Sequence, residues 1–343
     1  MKYFQCDYAE GCHPRILAKL AETNLEQTPG YGTDQYCQSA QDKIREACKD
    51  YGAQVHFLVG GTQTNLIVIS SILKPWQGVL AAETGHINVH ETGAIEASGH
   101  KVLALPSTDG KITGRQVQEY YGNHYKSDIR EHTVQPGMVY ISHPTENGTL
   151  YTKRELTELY KTCQECHIPL FIDGARLGYG LASPNSDMTL QDINKLCDVF
   201  YIGGTKCGAM FGEAVINRTL PQKEFRYMIK QRGGMLAKGR LLGIQFDVLF
   251  TDNLYFDICK KAVEQALLIK EAFKKKGIPL YGESFTNQQF VMLTEDQMKK
   301  LQEKYCYEVW GPGDDGKTIV RFCTSWATRD EDVAELIEDI RQL

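Results

Sequence analysis

The chain is 343 residues long and 42% hydrophobic, which suits two domains or one large α/β unit with room for a core and a cleft. Its 38 lysines and arginines stand against 43 aspartates and glutamates, a net charge of −5 with no long block of one sign, which disfavours nucleic acid as the main partner. The longest strongly apolar stretch, Leu66 to Leu73, is far short of the roughly 20 residues that cross a bilayer, so no membrane span is expected. The opening Met1-Lys2-Tyr3-Phe4-Gln5-Cys6-Asp7 has no apolar signal core, and eleven scattered cysteines read as reduced thiols; both point to the cytoplasm.

From Val55 to Ile216 short apolar runs alternate with helix-like segments: Val55 to Val59, Val79 to Ala81, Val102 to Leu105, Val139 to Ile141, Leu170 to Ile172 and Val199 to Ile202. Such runs predict a buried, mostly parallel sheet in an α/β fold. Between them Thr113 to Gln116 and Thr152 to Glu155 read as capping boxes that open helices. After about Gly243 the rhythm changes. Cys259, Ala262, Val263, Ala266, Leu267 and Phe273 share one face of a long helix stopped at Gly277, and strand-like runs follow at 289–293, 305–310 and 318–323. A last helix is capped at Thr328, with Val333, Leu336, Ile337 and Ile340 inward. The expected division is an N-terminal arm (1–30) serving the small domain or an interface, a large domain (31–243) and a small α+β domain (244–343).

Three motifs carry chemistry. Phe57-Leu58-Val59-Gly60-Gly61-Thr62 is a strand, a glycine turn and a helix start, where free N–H groups and the Thr62 hydroxyl suit a phosphate. Taken alone, it reads first as a tight turn with a threonine cap, and it matches neither the P-loop nor the dinucleotide fingerprint. Leu170-Phe171-Ile172-Asp173-Gly174 places an acid at the end of a buried strand, where open α/β sheets bind ligands. Gly203-Gly204-Thr205-Lys206 places a lysine after another such strand; desolvation there would make it a nucleophile for an aldehyde, although a lysine at a strand end is usually a surface charge. Phosphate cradle, ring-nitrogen acid and Schiff-base lysine together describe pyridoxal phosphate chemistry. His86 follows a strand end and suits a planar cofactor's face, with a structural histidine as the plainer alternative. Arg321 sits in an apolar strand and needs an anion, either a substrate carboxylate or an internal acid. Cys163-Gln164-Glu165-Cys166-His167 matches a haem-attachment pattern but ends an amphipathic helix and reads as structural; no metal set is expected.

The ordered series Cys6-Asp7-Tyr8, Gly30-Tyr31-Gly32-Thr33-Asp34, Gly60 to Asn65, His86, Glu146 to Thr152, Asp173 to Arg176, Gly204-Thr205-Lys206 and Val320 to Ser325 resembles the threonine aldolase family. That family lies in the β-eliminating lyase group of fold-type I pyridoxal phosphate enzymes, and the series is most similar to its phenylserine-aldolase-like branch. The resemblance implies a fold-type I large domain with a seven-stranded-type sheet. It further implies a homodimer or homotetramer with interfacial active sites, and cleavage of an L-3-hydroxy amino acid to glycine and an aldehyde. By resemblance Lys206 carries the cofactor, Asp173 bonds the pyridine nitrogen, His86 stacks on the ring, Gly60, Gly61 and Thr62 hold the phosphate, and Arg176 and Arg321 grip the substrate carboxylate. Cys6, Asp7 and Tyr31 fall on the substrate side of matching segments, with Arg176 also near the cofactor. Glu146 stands where many members carry a histidine near the substrate hydroxyl; it is either catalytic or a turn residue facing solvent. Arg232 and Lys238 flank the glycine-rich 233–237 segment as cations able to reach a phosphate, including one across the interface. A β-eliminating lyase or an aminotransferase would use the same lysine and acid, and a degenerate cofactor-binding protein would have no need of the complete set.

Overall fold

In the computed structural model, which describes residues 1–218 and 222–343, the chain begins with a short strand, β1 (Lys2–Tyr3). The main sheet follows: β2 (Gln54–Leu58), β3 (Gln77–Ala82), β4 (Val102–Leu105), β5 (Gln135–Ser142), β6 (Leu170–Asp173), β7 (Val199–Gly203) and β8 (Glu213–Asn217). Among the described residues its order is β2-β8-β7-β6-β5-β3-β4. The neighbours from β7 to β4 run parallel, and β8 is antiparallel to both β7 and β2. This is the α/β arrangement expected of the alternating apolar runs, and β8 is the strand those runs did not single out.

Burial on both faces explains why the strands read as continuous apolar runs. Because successive side chains alternate sides, Val139, Ile141, Leu170, Ile172, Phe200 and Ile202 enter one core while Met138, Tyr140, Phe171, Val199 and Tyr201 enter the other. Both predicted capping boxes form, opening helices Gly114–Lys126 and Lys153–Glu165. Lys153–Glu165 ends at Cys166, followed by His167 in a left-handed conformation, so the Cys163–His167 motif is a helix stop with both cysteines buried.

The C-terminal part builds a third core around Phe273, Val291, Val320, Phe322 and Leu336, and Phe4 joins it. Here β9 (Gln288–Leu293), β10 (Tyr305–Cys306), β11 (Glu308–Pro312) and β12 (Thr318–Cys323) appear. β12 lies between β11 and β9 in an antiparallel sheet, and β10 pairs with β1. The predicted 305–310 run is therefore two strands. Helix Leu254–Lys275 spans the predicted apolar face, and Gly277 follows it in a left-handed conformation. The last helix is Asp330–Arg341 with Arg329 at its cap position; Thr328 instead accepts the Ser325 N–H through its hydroxyl, one residue too early to cap.

Two glycines set the spacing of the strand ends. The Gly203 N–H donates to the Gly174 carbonyl at 2.9 Å, so the turns after β6 and β7 touch. A Cβ on Gly174 would lie 1.8 Å from the Tyr201 carbonyl oxygen, and one on Gly203 would lie 2.2 Å from that of Ala175. Gly174→Ala is expected to destabilise the protein by about 3 kcal/mol in urea unfolding, since backbone must move. Gly122→Ala, in open space within a helix, should stabilise it by about 1 kcal/mol. Equal stabilities for the two variants would contradict the close approach of the two turns.

Candidate active site

The C-terminal ends of β5, β6 and β7 open on a cleft of about 360 Å³. Gly60, Gly61, Thr62, His86, Glu146, Asp173, Arg176 and Lys206, named from widely separated segments, all line it. The turn after β2 delivers the first three: helix Gly61–Ile72 starts at Gly60 with no side chain capping its N-terminal N–H groups. Such an end is free to receive an anion. Among the described residues the cleft's lysines and arginines are Lys206 and Arg176.

Asp173 ends β6, where it is 4% exposed and receives four donors. Oδ2 accepts from the Tyr140 hydroxyl at 2.6 Å and from Asn65 Nδ2 at 3.0 Å; Oδ1 accepts from the Tyr201 hydroxyl and from the Ala175 N–H at 3.0 Å. Burial pushes its carboxyl up, but the charge of His86 and the bonds from Tyr140 and Tyr201 outweigh burial and hold it below the usual carboxylate range. Asp173 is thus a buried anion, suited to facing a protonated ring nitrogen.

His86 begins the short helix His86–Val89, and its Nδ1 lies 2.7 Å from Oε1 of the enclosed Glu91. Opposite a carboxylate oxygen Nδ1 carries the proton, which leaves Nε2 as the nitrogen for a ligand. Burial draws the imidazole down, but the Glu91 bond and Asp173 prevail and raise it. Asn65 Nδ2 also donates to Glu91 at 2.7 Å, so His86, Glu91, Asn65 and Asp173 form one network. The Glu146 carboxylate turns inward, accepting from the Ser142 hydroxyl at 2.6 Å and the His86 N–H at 2.9 Å. It is not a solvent-facing turn residue, and burial pushes its carboxyl up despite the Ser142 bond.

Lys206 sits in the turn between β7 and β8, its carbonyl accepting from the Tyr179 hydroxyl. Burial and then the Arg176 charge draw its amine down, against Asp7, Asp173 and Glu213. A lowered lysine next to an uncapped helix end and a buried carboxylate fits pyridoxal phosphate in donor set, charge and volume.

Other candidates lie elsewhere. Asp7 does not line the cleft: it is 0% exposed and clamps Arg176 from behind, accepting from Nε at 2.7 Å and Nη2 at 2.9 Å, with Asn287 Nδ2 donating at 2.8 Å. Cys6 is half-buried beside it in sequence and is also outside the cleft lining. Arg321 is met by an internal acid, Glu308, and bonds Gln288 Oε1 at 2.7 Å while lying over the Trp310 ring. A carboxylate arriving there would have to replace Glu308. Tyr31, with Lys230 over its ring at 4.6 Å, lines a separate surface groove with Arg226 and Met235; Arg232 and the exposed Lys238 are also outside the cleft lining.

Glu91, Asn65, Tyr140, Tyr201 and Glu213 were not anticipated as site residues. The two tyrosines carried a signal: each is a phenol in an otherwise apolar strand, and a buried hydroxyl needs a partner. Glu91 carried none, because its carboxylate meets His86 only after the chain turns.

The Asp7–Arg176 pair yields a pH test. Burial raises the Asp7 carboxyl, but Arg176 and Lys206 outweigh it and bring it from 3.8 to about 2. A carboxyl held lower in the folded state stabilises above its ordinary value and loses that contribution as pH falls through the folded one. Asp7→Asn should cost about 3 kcal/mol at neutral pH by leaving Arg176 buried and unpaired. Unfolding curves should show the gap to wild type narrowing by about 2 kcal/mol between about pH 4 and about pH 2; a constant gap would show that Asp7 is not ionised in the folded state.

Comparison with known proteins places this geometry in a family. A model described as beta-eliminating lyase matches residues 7–309. The low specificity L-threonine aldolase of Pseudomonas aeruginosa is 30% identical, over 98% of this chain and 96% of that protein. A threonine aldolase structure from Leishmania major superposes with a TM-score of 0.96 at 43% identity, covering 100% of this chain and 99% of the other. A Thermus thermophilus aspartate aminotransferase mutant, 13% identical with a TM-score of 0.73 over 99% of this chain and 91% of its own, shares the fold-type I architecture. The chain belongs to the beta-eliminating lyase family.

Proposed function

We propose that the protein is a pyridoxal phosphate-dependent aldolase that cleaves L-3-hydroxy amino acids, of the threonine, allo-threonine or phenylserine type, to glycine and an aldehyde. The observation that carries this reading is the convergence of Gly60–Thr62, Asp173, Lys206 and His86 in one cleft, in a chain 43% identical to a threonine aldolase over its whole length. When bound, pyridoxal phosphate supplies a carbonyl for an amine and a ring that accepts the electron pair of the broken bond.

The helix end at Gly61 and the Thr62 hydroxyl bind the phosphate, and Lys206 supplies the amine. Asp173 holds a proton at the ring nitrogen, a task for which its four donors keep it ionised. Retro-aldol cleavage needs a base within about 3 Å of the β-hydroxyl or one water away. His86 takes that proton at Nε2, and Glu91 steadies the resulting charge from Nδ1. Glu146, bonded to the His86 N–H, orients the hydroxyl or the water. Arg176, fixed by Asp7, binds the substrate carboxylate; Arg321 joins it if Glu308 yields.

We further propose a homodimer or homotetramer. The face with Tyr31 47% exposed and Tyr227 78% exposed supports it, and across such an interface Tyr31, Arg232 and Lys238 would reach a neighbouring site. A cytoplasmic location is supported by eleven free cysteines; among the described residues no helix is long and apolar enough to cross a membrane.

Purified protein with pyridoxal phosphate should convert L-threonine, L-allo-threonine or L-phenylserine to glycine and aldehyde. Aldehyde, ammonia and keto acid are assayed in parallel. Keto acid and ammonia as main products would replace the aldolase reading with a β-eliminating lyase.

A further inference from the structure

Glu213 opens β8 and is 3% exposed, opposite Leu58 of β2 and Gly203 of β7. Its Oε2 accepts from the Gly204 N–H at 3.1 Å and its Oε1 from the Thr205 hydroxyl at 2.9 Å. Those are the two residues immediately before Lys206, and Glu213 and Lys206 line the same cleft. The Asp173 network, with its own four donors, does not include it. Among the described residues it has two donors and no hydrogen-bonded cation, and such a buried acid is costly to keep as an ion; the catalytic roles proposed above do not include it.

The surrounding charges place it between two states. Burial pushes its carboxyl up to about 8, with Asp173 adding to that and the Thr205 bond and Lys206 opposing it. Burial and Arg176 draw the Lys206 amine down, while Asp7, Asp173 and Glu213 oppose. Among the described residues, further titratable groups here are the phenols of Tyr201 on β7, Tyr255 on helix Leu254–Lys275 and Tyr8 in the cleft lining, all raised by burial and so neutral, and His86 across the cleft. Three acids of one cleft are thereby separated: Asp173 is held low, whereas Glu146 and Glu213 are pushed up. Such separation is how one site holds both proton donors and acceptors.

We propose that Glu213 is a positioning residue that shares one proton with Lys206, taking it when Lys206 becomes the free amine and returning it when the amine is recharged. The proton moves between Lys206 Nζ and a carboxylate oxygen of Glu213 through one water. One N–H bond breaks, one O–H bond forms, each electron pair stays on its own atom, and no co-reactant is needed. The same carboxylate sets the turn, because its two donors come from the residues that present the lysine. The inference rests on Lys206 being the reactive amine, and its test separates the two.

A carboxylate at this place favours the charged amine, so its removal lets Lys206 lose its proton at lower pH. Full-length protein freed of cofactor is labelled with trace acetic anhydride from neutral to strongly alkaline pH, and acetylation of Lys206 is followed by peptide mass spectrometry. Wild type should show a broad, two-step profile, as coupled groups do. Glu213→Gln should give a single step moved to lower pH, with labelling in the mid-range raised about threefold or more. Thr205→Val, which removes a donor to the ionised carboxylate, should move the profile the same way by less and serves if the first variant does not fold. A Lys206 that labels like a solvent lysine in wild type would overturn its reading as the depressed amine and the proposal with it. A depressed Lys206 whose profile is the same in variants and wild type would overturn the proton sharing alone.

Discussion

A carboxylate can be buried as an ion only where enough donors meet it, and Asp173 meets four from separate parts of the chain. Asn65 comes from the helix after β2, Tyr140 from β5, Tyr201 from β7 and the Ala175 N–H from its own turn. Satisfying this one group requires β5, β6 and β7 to be adjacent and parallel, with helix Gly61–Ile72 packed against the core that holds both tyrosines. The strand order therefore does more than bury apolar surface, since it brings the uncapped start of helix Gly61–Ile72, the anion and the lysine turn to one cleft. The contact between Gly174 and Gly203 sets the separation of the last two.

A second layer of charge is arranged on the same terms. Arg176 reaches the cleft with its charge already balanced by Asp7, which in turn is tied to Asn287 of the C-terminal part. Arg321 is balanced by Glu308. Paired before any ligand arrives, both guanidinium groups avoid the cost of an isolated buried charge. The exchange of Glu308 for an incoming carboxylate would link the small sheet to the cleft.

Much of this was legible in the residues. The buried strands announced themselves as apolar runs because both faces are covered, and the Gly60–Thr62, Asp173 and Lys206 motifs each sit at a strand end, where sequence position and cleft position coincide. The β8 strand stood outside the strand-and-helix rhythm because it follows β7 with no helix between them. Contacts between distant segments escaped notice for a different reason: nothing local in Asp7, Glu91 or Glu308 tells which cation it will face. Arg321 shows the limit clearly, because its need for an anion was evident while the identity of the internal acid was not.

The central claim is that the lysine turn after β7 and the anion ending β6 address the same bound cofactor. Borohydride reduction of the pyridoxal phosphate-loaded protein, followed by peptide mapping, tests it most directly. The account predicts a pyridoxyl group on Lys206 in wild type and far weaker cofactor retention in Asp173→Asn. A pyridoxyl group on another lysine, with Asp173→Asn binding cofactor as wild type does, would contradict it.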